Sequence, residues 1–433
     1  MRIRPALQMN GSVCVPGDKS ISHRAAIIAA LATGVSEISN FSTSKDCAAT
    51  LSCLEQLGVV VERKGSVLRI HGRGAGGLRK SHLPLDCCNS GSTMRMLAGV
   101  LAGQNFVSTL TGDDSLNGRP MGRIIKPLTH MGAHIGSRDG CGPLLIEGRS
   151  PLTAIRYELP IASAQVKSCV LLAGLNAVGR TEVIDLSGIH TRDHTERMFE
   201  WFGIEIENGS QSSGAGSTIV DGPASFSGRD VQVPGDFSSG AYLIAAAAMM
   251  AGSALRIENL GLNPTRTQFL DLLMSSGAAI QVAELHDESN EPRGTVSIQT
   301  TGLANTHLEV SGSLVAPLID ELPLLAVVGS QFGGVTVRDA RELRIKESDR
   351  ISATVTNLRA MGAEVEEYED GLAVIGPVKL RGTTIQSFGD HRIAMAFTVA
   401  ALVAQGDSEI LGSDCVDVSF PGFFDVIESI VER

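Results

Sequence analysis

The sequence predicts a mixed α/β protein assembled from six repeating units, three in each of two domains, and three observations lead there. Val15-Pro16-Gly17-Asp18-Lys19-Ser20, followed by the apolar run Ala25 to Ala30, is echoed 218 residues later by Val233-Pro234-Gly235-Asp236-Phe237-Ser238 and the apolar run Leu243 to Ala247. Five helical patterns end in a glycine, at Gly58, Gly132, Gly203, Gly277 and Gly362, spaced by 74, 71, 74 and 85 residues. Further helices begin at Ser20, Ser90, Ser163, Ser238, Asp320 and Asp390, spaced by 70, 73, 75, 82 and 70 residues. Such a steady period marks an internal repeat, in which each unit is one supersecondary element.

Within a unit, the first helix starts at a polar cluster and runs into an alanine-rich apolar stretch. The second helix ends at its glycine, which accepts the left-handed conformation that closes a last turn. Short β-branched runs then read as strands, as at Val59-Val60-Val61, Val67 to Ile70, Ala279 to Val282 and Val335-Thr336-Val337. Residues 15–230 form the first domain, and residues 1–14 plus 231–433 the second. A linker is expected over 221–233, where Asp221-Gly222-Pro223 opens a turn. The chain before Pro16 is expected to pair with the second half, because the sixth unit ends at Arg433 without a complete helix-strand tail.

Composition narrows the function. With 433 residues, 43% hydrophobic and 19% charged, the chain is ordinary globular protein rather than a disordered one. Its longest apolar run, Ala241 to Ala251, has 11 residues, short of the ~18 that suggest a bilayer span. No apolar segment with a small-residue cleavage site follows Met1, so a cytoplasmic location without membrane association is expected. Eight cysteines without a CxxC pair read as free thiols. A net charge of −11 and only 4% aromatics argue against a nucleic-acid partner, which needs a broad basic surface or stacking platforms.

The polar helix starts carry the chemical signal. Ser, Asn and Asp there are ordinary N-caps, a reading that suits Ser238 and Ser90. Capping does not account for Lys19, Arg24, Arg95, Lys167 and Arg392, which lie in or near first turns. A cation there faces the positive end of the helix dipole, a poor place unless an anion is bound. An acidic chain with such cations is equipped for small phosphates and carboxylates. Arg119, Arg123, Arg192, Lys346 and Arg350 extend the set, and Lys346 and Arg350 share a face if their segment is helical.

Competing motifs lack their context. Gly72-Arg73-Gly74-Ala75-Gly76-Gly77 matches a dinucleotide fingerprint but runs into Leu78-Arg79-Lys80-Ser81 instead of an apolar helix. In His130-x3-His134 a glycine ends the helix between the rings, and His190-x3-His194 straddles a helix start, so neither pair reads as a zinc site.

Six long motifs carry a resemblance across nearly the whole chain: Pro16 to Arg24, Asn89 to Arg95, Gly112 to Leu116 with Arg119-Pro120-Met121, Ser163 to Ser168, Lys346 to Arg350, and Gly389 to Ala396. On these the sequence resembles the 5-enolpyruvylshikimate-3-phosphate synthases (3-phosphoshikimate 1-carboxyvinyltransferases). The wording Ala-Ser-Ala-Gln-Val-Lys-Ser and Thr-Arg-Asp-His-Thr is similar to the bacterial branch called class II, which includes members of low glyphosate sensitivity. The resemblance implies an inside-out α/β barrel in each of two domains, each of three βαβαββ units, with helix N-termini converging on an interdomain cleft that closes on substrate. It implies transfer of the enolpyruvyl group of phosphoenolpyruvate to the 5-hydroxyl of shikimate 3-phosphate through a tetrahedral adduct that loses phosphate. Neither a cofactor nor a metal is implied, and a monomer is expected.

By motif, the resemblance assigns shikimate 3-phosphate to Lys19, Ser20, Arg24, Ser163, Ala164, Gln165, Arg192, Asp320 and Lys346. It assigns phosphoenolpyruvate to Lys19, Asn89, Gly91, Arg119, Gln165, Arg350, His391 and Arg392. Asp320 is then the base for the 5-hydroxyl, and Glu347 or Lys19 the acid for the methylene carbon. One position departs from the pattern: Val418 precedes Ser419-Phe420-Pro421, where some relatives carry a lysine that meets the donor. The sister family, the UDP-N-acetylglucosamine enolpyruvyl transferases, is a poorer match, since it usually carries a loop cysteine where this chain has Asp114.

Overall fold

The computed structural model describes residues 1–64, 67–189, 191–210, 216–300 and 304–433. It divides into two compact units. The first holds Gly17–Val233 together with Glu288–Glu291, and the second holds Met1–Pro16, Pro234–Asp287 and Pro292–Arg433. The first unit starts two residues and ends three residues later than the expected 15–230, and residues 288–291, expected in the second domain, pack with the first. The expected linker is also displaced. Residues 221–232 belong to the body of the first unit, where Val231–Gln232 pairs in parallel with Thr33–Ser39, and the chain passes into the second unit only between Val233 and Pro234.

Among the described residues each unit contains three sheets. In the first unit each sheet begins with a short parallel edge and continues antiparallel. One runs 231–232, 33–39, 67–73, 60–64; the next runs 85–86, 107–111, 141–147, 134–138. The third has Ala177–Asp185 as its pivot, joined by Leu152–Thr153 and Arg156–Glu158 in parallel and by Gly216–Gly222 antiparallel. The second unit repeats the plan over 308–310, 335–337, 371–374 and 365–368. Its other two sheets take strands from the N-terminus: Arg2–Ile3 pairs with Ser408–Leu411, and Gln8–Cys14 pairs with Ala254–Gly261 and with Val431–Glu432. The missing tail of the sixth unit is thus supplied by the start of the chain.

The first helices of the six units are Lys19–Leu31, Gly91–Ala102, Ala164–Gly174, Phe237–Met249, Leu322–Gln331 and His391–Leu402. Every residue of His391–Leu402 is buried, and so is every residue of Phe237–Met249 except the last. A helix enclosed on all sides has no polar face, which is why these segments read as continuous Ala, Ile and Val and not as a stripe. Small residues let them approach: a Cβ on Gly99 would fall 2.2 Å from the carbonyl oxygen of Cys169 on the neighbouring helix. The second helices end where expected, with Gly58, Gly132, Gly203, Gly277 and Gly362 all at φ between 78 and 106°. Among the described residues no single helix is long and apolar enough to cross a membrane.

Three helix starts differ from the sequence reading, and the helix expected from Asp320 begins at Leu322. Asp18, and not Ser20, caps Lys19–Leu31, accepting from the amide of Ile21 at 2.9 Å. Asp236, and not Ser238, caps Phe237–Met249, accepting from Ser239 at 2.8 Å. In both, the aspartate has non-helical backbone angles, φ -56° and ψ 122° for Asp18 and φ -67° and ψ 117° for Asp236, and the serine is already inside the helix. Ser90 does cap Gly91–Ala102, accepting from Thr93 at 3.2 Å. The Lys346/Arg350 helical ladder is absent as well: the helix begins at Arg350 under an Asp349 cap, so Lys346 and Glu347 lie in the preceding loop.

Candidate active site

In the first unit, the predicted site residues collect at helix starts. Lys19, the first residue of its helix, holds Asp46 of the helix Lys45–Gln56 at 2.9 Å. One turn on, Arg24 is 4% exposed and uses all three guanidinium nitrogens: Nε donates to Thr195 Oγ1 (2.7 Å), Nη1 to the Ser20 carbonyl (2.9 Å) and Nη2 to Ser168 Oγ (2.8 Å). Burial pushes Arg24 down to about 10, against the opposing pull of Glu196, while the charge of Arg192 lowers it further. The arginine therefore joins three helix starts through neutral acceptors. Ser163 caps Ala164–Gly174 through the amide of Val166 (3.4 Å), and the Ala164 carbonyl accepts from Ser168 (2.8 Å).

Two amides are oriented by what flanks them. Gln165 accepts from Arg95 Nη1 (2.7 Å) and donates to Ser92 (3.0 Å). Asn89 accepts from Arg119 Nη2 (2.6 Å) and donates to Asp113 (2.7 Å). Gly91 opens its helix between these groups, and a Cβ there would stand 2.5 Å from Arg95 Nη1 and 3.4 Å from Arg119 Nη1. Behind them a buried hydroxyl chain runs from His23 Nδ1 to Thr50 (2.7 Å), Thr93 (2.6 Å) and Ser90 (2.8 Å). Burial, with Lys19 and Arg24 beside it, holds the His23 ring well below the ordinary imidazole range, so it is neutral.

The second unit gathers the carboxylates. Arg350, 1% exposed, donates from Nε to Asp390 Oδ2 (2.8 Å), from Nη2 to Asp390 Oδ1 (3.2 Å) and to Glu347 (2.6 Å), and from Nη1 to Asp320 (3.4 Å). Arg392 lies 3.3 Å from the other oxygen of Asp320, donates to the Asp320 carbonyl (3.1 Å) and reaches Glu321 (3.5 Å). Asp320 is thus clasped between two guanidinium groups, and the helix Leu322–Gln331 that follows starts without a side-chain cap. Burial alone would lower Arg392, but Asp320 foremost among its neighbours raises it. Asp390 shows the same contest. Burial raises its carboxyl, yet the Arg350 guanidinium wins and leaves it below the ordinary range. Lys346 lies beside this group with its ammonium lowered, chiefly by burial and against the pull of Asp320. His391 and Arg392 open the buried helix that Asp390 caps.

The structure thus brings Lys19, Ser20, Arg24, Asn89, Gly91, Arg119, Ser163, Ala164, Gln165 and Arg192 into the first unit, and Asp320, Lys346, Glu347, Arg350, His391 and Arg392 into the second. Several partners carry no role in the sequence reading: Asp46, Ser168, Thr195, Glu321 and Asp390. Arg95 was legible as a first-turn cation but not as the anchor of Gln165. Among the described residues no group of three or more His, Cys, Asp or Glu side chains stands together as a metal site, and His190 lies outside the described residues.

A repeated α/β protein with guanidinium and ammonium groups concentrated at helix starts, and a carboxylate clasped between two of them, defines a class: a protein for small, multiply charged anions with proton-transfer groups at hand. Comparison makes it specific. The family model described as EPSP synthase (3-phosphoshikimate 1-carboxyvinyltransferase) matches residues 3–427. The 3-phosphoshikimate 1-carboxyvinyltransferase of Koribacter versatilis is 51% identical over 435 residues, covering 100% of this chain and 99% of its own. That of Solibacter usitatus is 46% identical over 432 residues, covering 100% and 99%. The solved EPSP synthase of Acinetobacter baumannii superposes with a TM-score of 0.86 at 38% identity, covering 99% of this chain and 98% of its own. The chain belongs to the EPSP synthase family.

Proposed function

We propose that the chain transfers the enolpyruvyl group of phosphoenolpyruvate to the 5-hydroxyl of shikimate 3-phosphate, releasing phosphate and giving 5-enolpyruvylshikimate 3-phosphate for aromatic amino-acid biosynthesis. The observation that carries this reading is Asp320, a partly exposed carboxylate held by Arg350 and Arg392 at 3.4 and 3.3 Å. A hydroxyl must lose a proton while an enol carbon gains one, so a base and an acid are needed within a field that tolerates two anionic substrates. Asp320 takes the hydroxyl proton; Glu347 and Lys19 are the two candidates for protonating the methylene carbon.

In this reading the two clusters serve one pair of substrates. Lys19, Ser20, Arg24, Ser163, Ala164, Gln165, Arg192, Asp320 and Lys346 hold shikimate 3-phosphate. Asn89, Gly91, Arg119, Arg350, His391 and Arg392, with Lys19 and Gln165, hold phosphoenolpyruvate. Two polyanions side by side need more cationic charge than either cluster offers after its own carboxylates are counted. The test is phosphate release from phosphoenolpyruvate with shikimate 3-phosphate as acceptor, run beside UDP-N-acetylglucosamine. Release with the second acceptor alone sinks the reading.

Two further results are expected. Gly91→Ala pushes a methyl group against the ends of Arg95 and Arg119, both able to shift, so the fold survives while the donor site shortens. Glyphosate, longer than phosphoenolpyruvate, loses more affinity than the donor; equal fold changes in its inhibition constant and in the donor KM refute this. Lys346 must be cationic to hold an anion, and burial has lowered it. The alkaline limb of kcat/KM for shikimate 3-phosphate therefore falls at a pH below the ~10.4 of a free lysine, and Lys346→Arg moves it upward. A limb unmoved by that substitution assigns it to another group.

A further inference from the structure

We propose that Glu291, beside the turn of a β-hairpin, is a positioning residue for Arg24: through His194 it sets the helix start that carries Thr195, and so the guanidinium that Thr195 holds. The inference rests on the reading above, in which Arg24 contacts shikimate 3-phosphate.

The strands Ile280–Glu288 and Glu291–Gln299 are neighbours in a sheet of the second unit, and the two residues between them, Ser289 and Asn290, have φ of 53 and 61°. Positive φ at both positions is the mark of a type I′ turn, the tight connection that suits strand twist. Residues 288–291 nevertheless belong to the first unit. Their contacts there are specific. Ser289 accepts from the amide of Gln232 (2.9 Å), the Asn290 carbonyl accepts from Arg197 (3.2 Å), and the Asn290 amide donates to the Arg197 carbonyl and to Glu200 (both 3.0 Å). The turn thus grips the helix His194–Trp201 along its length.

At the start of that helix the grip becomes a buried carboxylate–imidazole contact. Glu291 Oε1 lies 2.7 Å from His194 Nδ1, and the two side chains are 2% and 1% exposed. A carboxylate so enclosed is costly unless its partner stays in place, so the pair fixes where the helix begins. It also puts negative charge at the end of the helix where the dipole favours it. The next residue is Thr195, which accepts from Arg24 at 2.7 Å and shares a hydrogen bond with Ser168 at 2.6 Å, while Ser168 accepts from the same guanidinium. With bonds this short, a small shift of the helix start passes directly to Arg24. A turn needed only for attachment would be served by its bonds to Gln232, Arg197 and Glu200; the buried pair sits one residue from the group that orients the arginine.

The test uses the full-length protein with Glu291→Ala, Glu291→Gln, Asn290→Gly and Arg24→Ala, read as kcat and both KM values and as direct shikimate 3-phosphate affinity by calorimetry. Glu291→Ala raises the shikimate 3-phosphate KM and dissociation constant roughly tenfold, while kcat and the phosphoenolpyruvate KM stay within about twofold. Glu291→Gln, which keeps an acceptor for His194, restores most of the affinity. Asn290→Gly preserves the positive-φ turn but removes its side-chain bonds, and gives a change in the same direction of about threefold; it decides the question if Glu291→Ala does not fold. An unchanged shikimate 3-phosphate affinity in folded Glu291→Ala, or equal losses for both substrates, overturns the proposal. If Arg24→Ala leaves that affinity intact, the assignment of Arg24 to the substrate is what fails.

Discussion

Asp320→Asn and Glu347→Gln each lower kcat by at least about 10²-fold with the fold retained, because losing a general acid or base costs roughly 10²- to 10⁴-fold in rate. A structural role for either carboxylate predicts something much smaller. Caps are worth about 0.5 to 2 kcal/mol of stability, and exposed ion pairs about 0 to 1. The helix after Asp320 starts without a side-chain cap, and Glu347 precedes its helix instead of lying on it. Asp320 is therefore not a helix cap, whereas Glu347 does pair with Arg350 at 2.6 Å, so for Glu347 the rate measurement is what separates the two roles. Melting curves together with kcat of the folded protein decide. A variant that melts much lower yet turns over at near-normal rate shows that its carboxylate is structural.

Arg350→Met has the largest expected effect on stability. Asp390 is 0% exposed and is bound by Arg350 through both oxygens; it also caps the buried helix His391–Leu402 and accepts from Ser348 at 3.0 Å. Removing one partner of such a buried pair leaves an uncompensated charge and costs about 3 to 5 kcal/mol. The pH dependence has a definite sign. In the parent protein Asp390 lies below the ordinary carboxylate range, so its contribution is complete above the unfolded value of about 3.9 and is lost only as pH falls through the lower folded value. Without Arg350, burial and the neighbouring Glu347 outweigh His391 and raise the folded value. The variant then becomes less stable as pH rises above about 3.9, where the parent does not. Asp390→Asn in the Arg350→Met background recovers much of the loss. A single variant that melts within a few degrees of the parent at pH 7 contradicts the argument.

The six-unit plan was readable because its punctuation is local. Gly58, Gly132, Gly203, Gly277 and Gly362 each close a helix with a left-handed residue, and that requirement is visible within a few positions of the chain. The alanine-rich first helices announce burial on every side in the same way. Site residues were readable as types and positions, since a cation at a helix start violates a local preference and asks for an explanation. Even the caps were readable to within two residues; the choice of Asp18 over Ser20, or Asp236 over Ser238, turns on the backbone angles of the aspartates.

Partnership was a different matter, because it joins residues far apart in the chain. Arg24 meets Thr195 across 171 positions and Ser168 across 144, and Arg392 meets Asp320 across 72. No local pattern relates Lys19 to Asp46, or a hairpin turn at 289–290 to the helix that carries Thr195. Ser238, a plausible cap by composition, is taken instead by Glu321 and Arg266. Local propensity specified where each helix starts and which charges stand there. Only packing inside each compact unit decided which charge each would face, because a carboxylate's influence on an arginine falls with distance in space and is indifferent to distance along the chain.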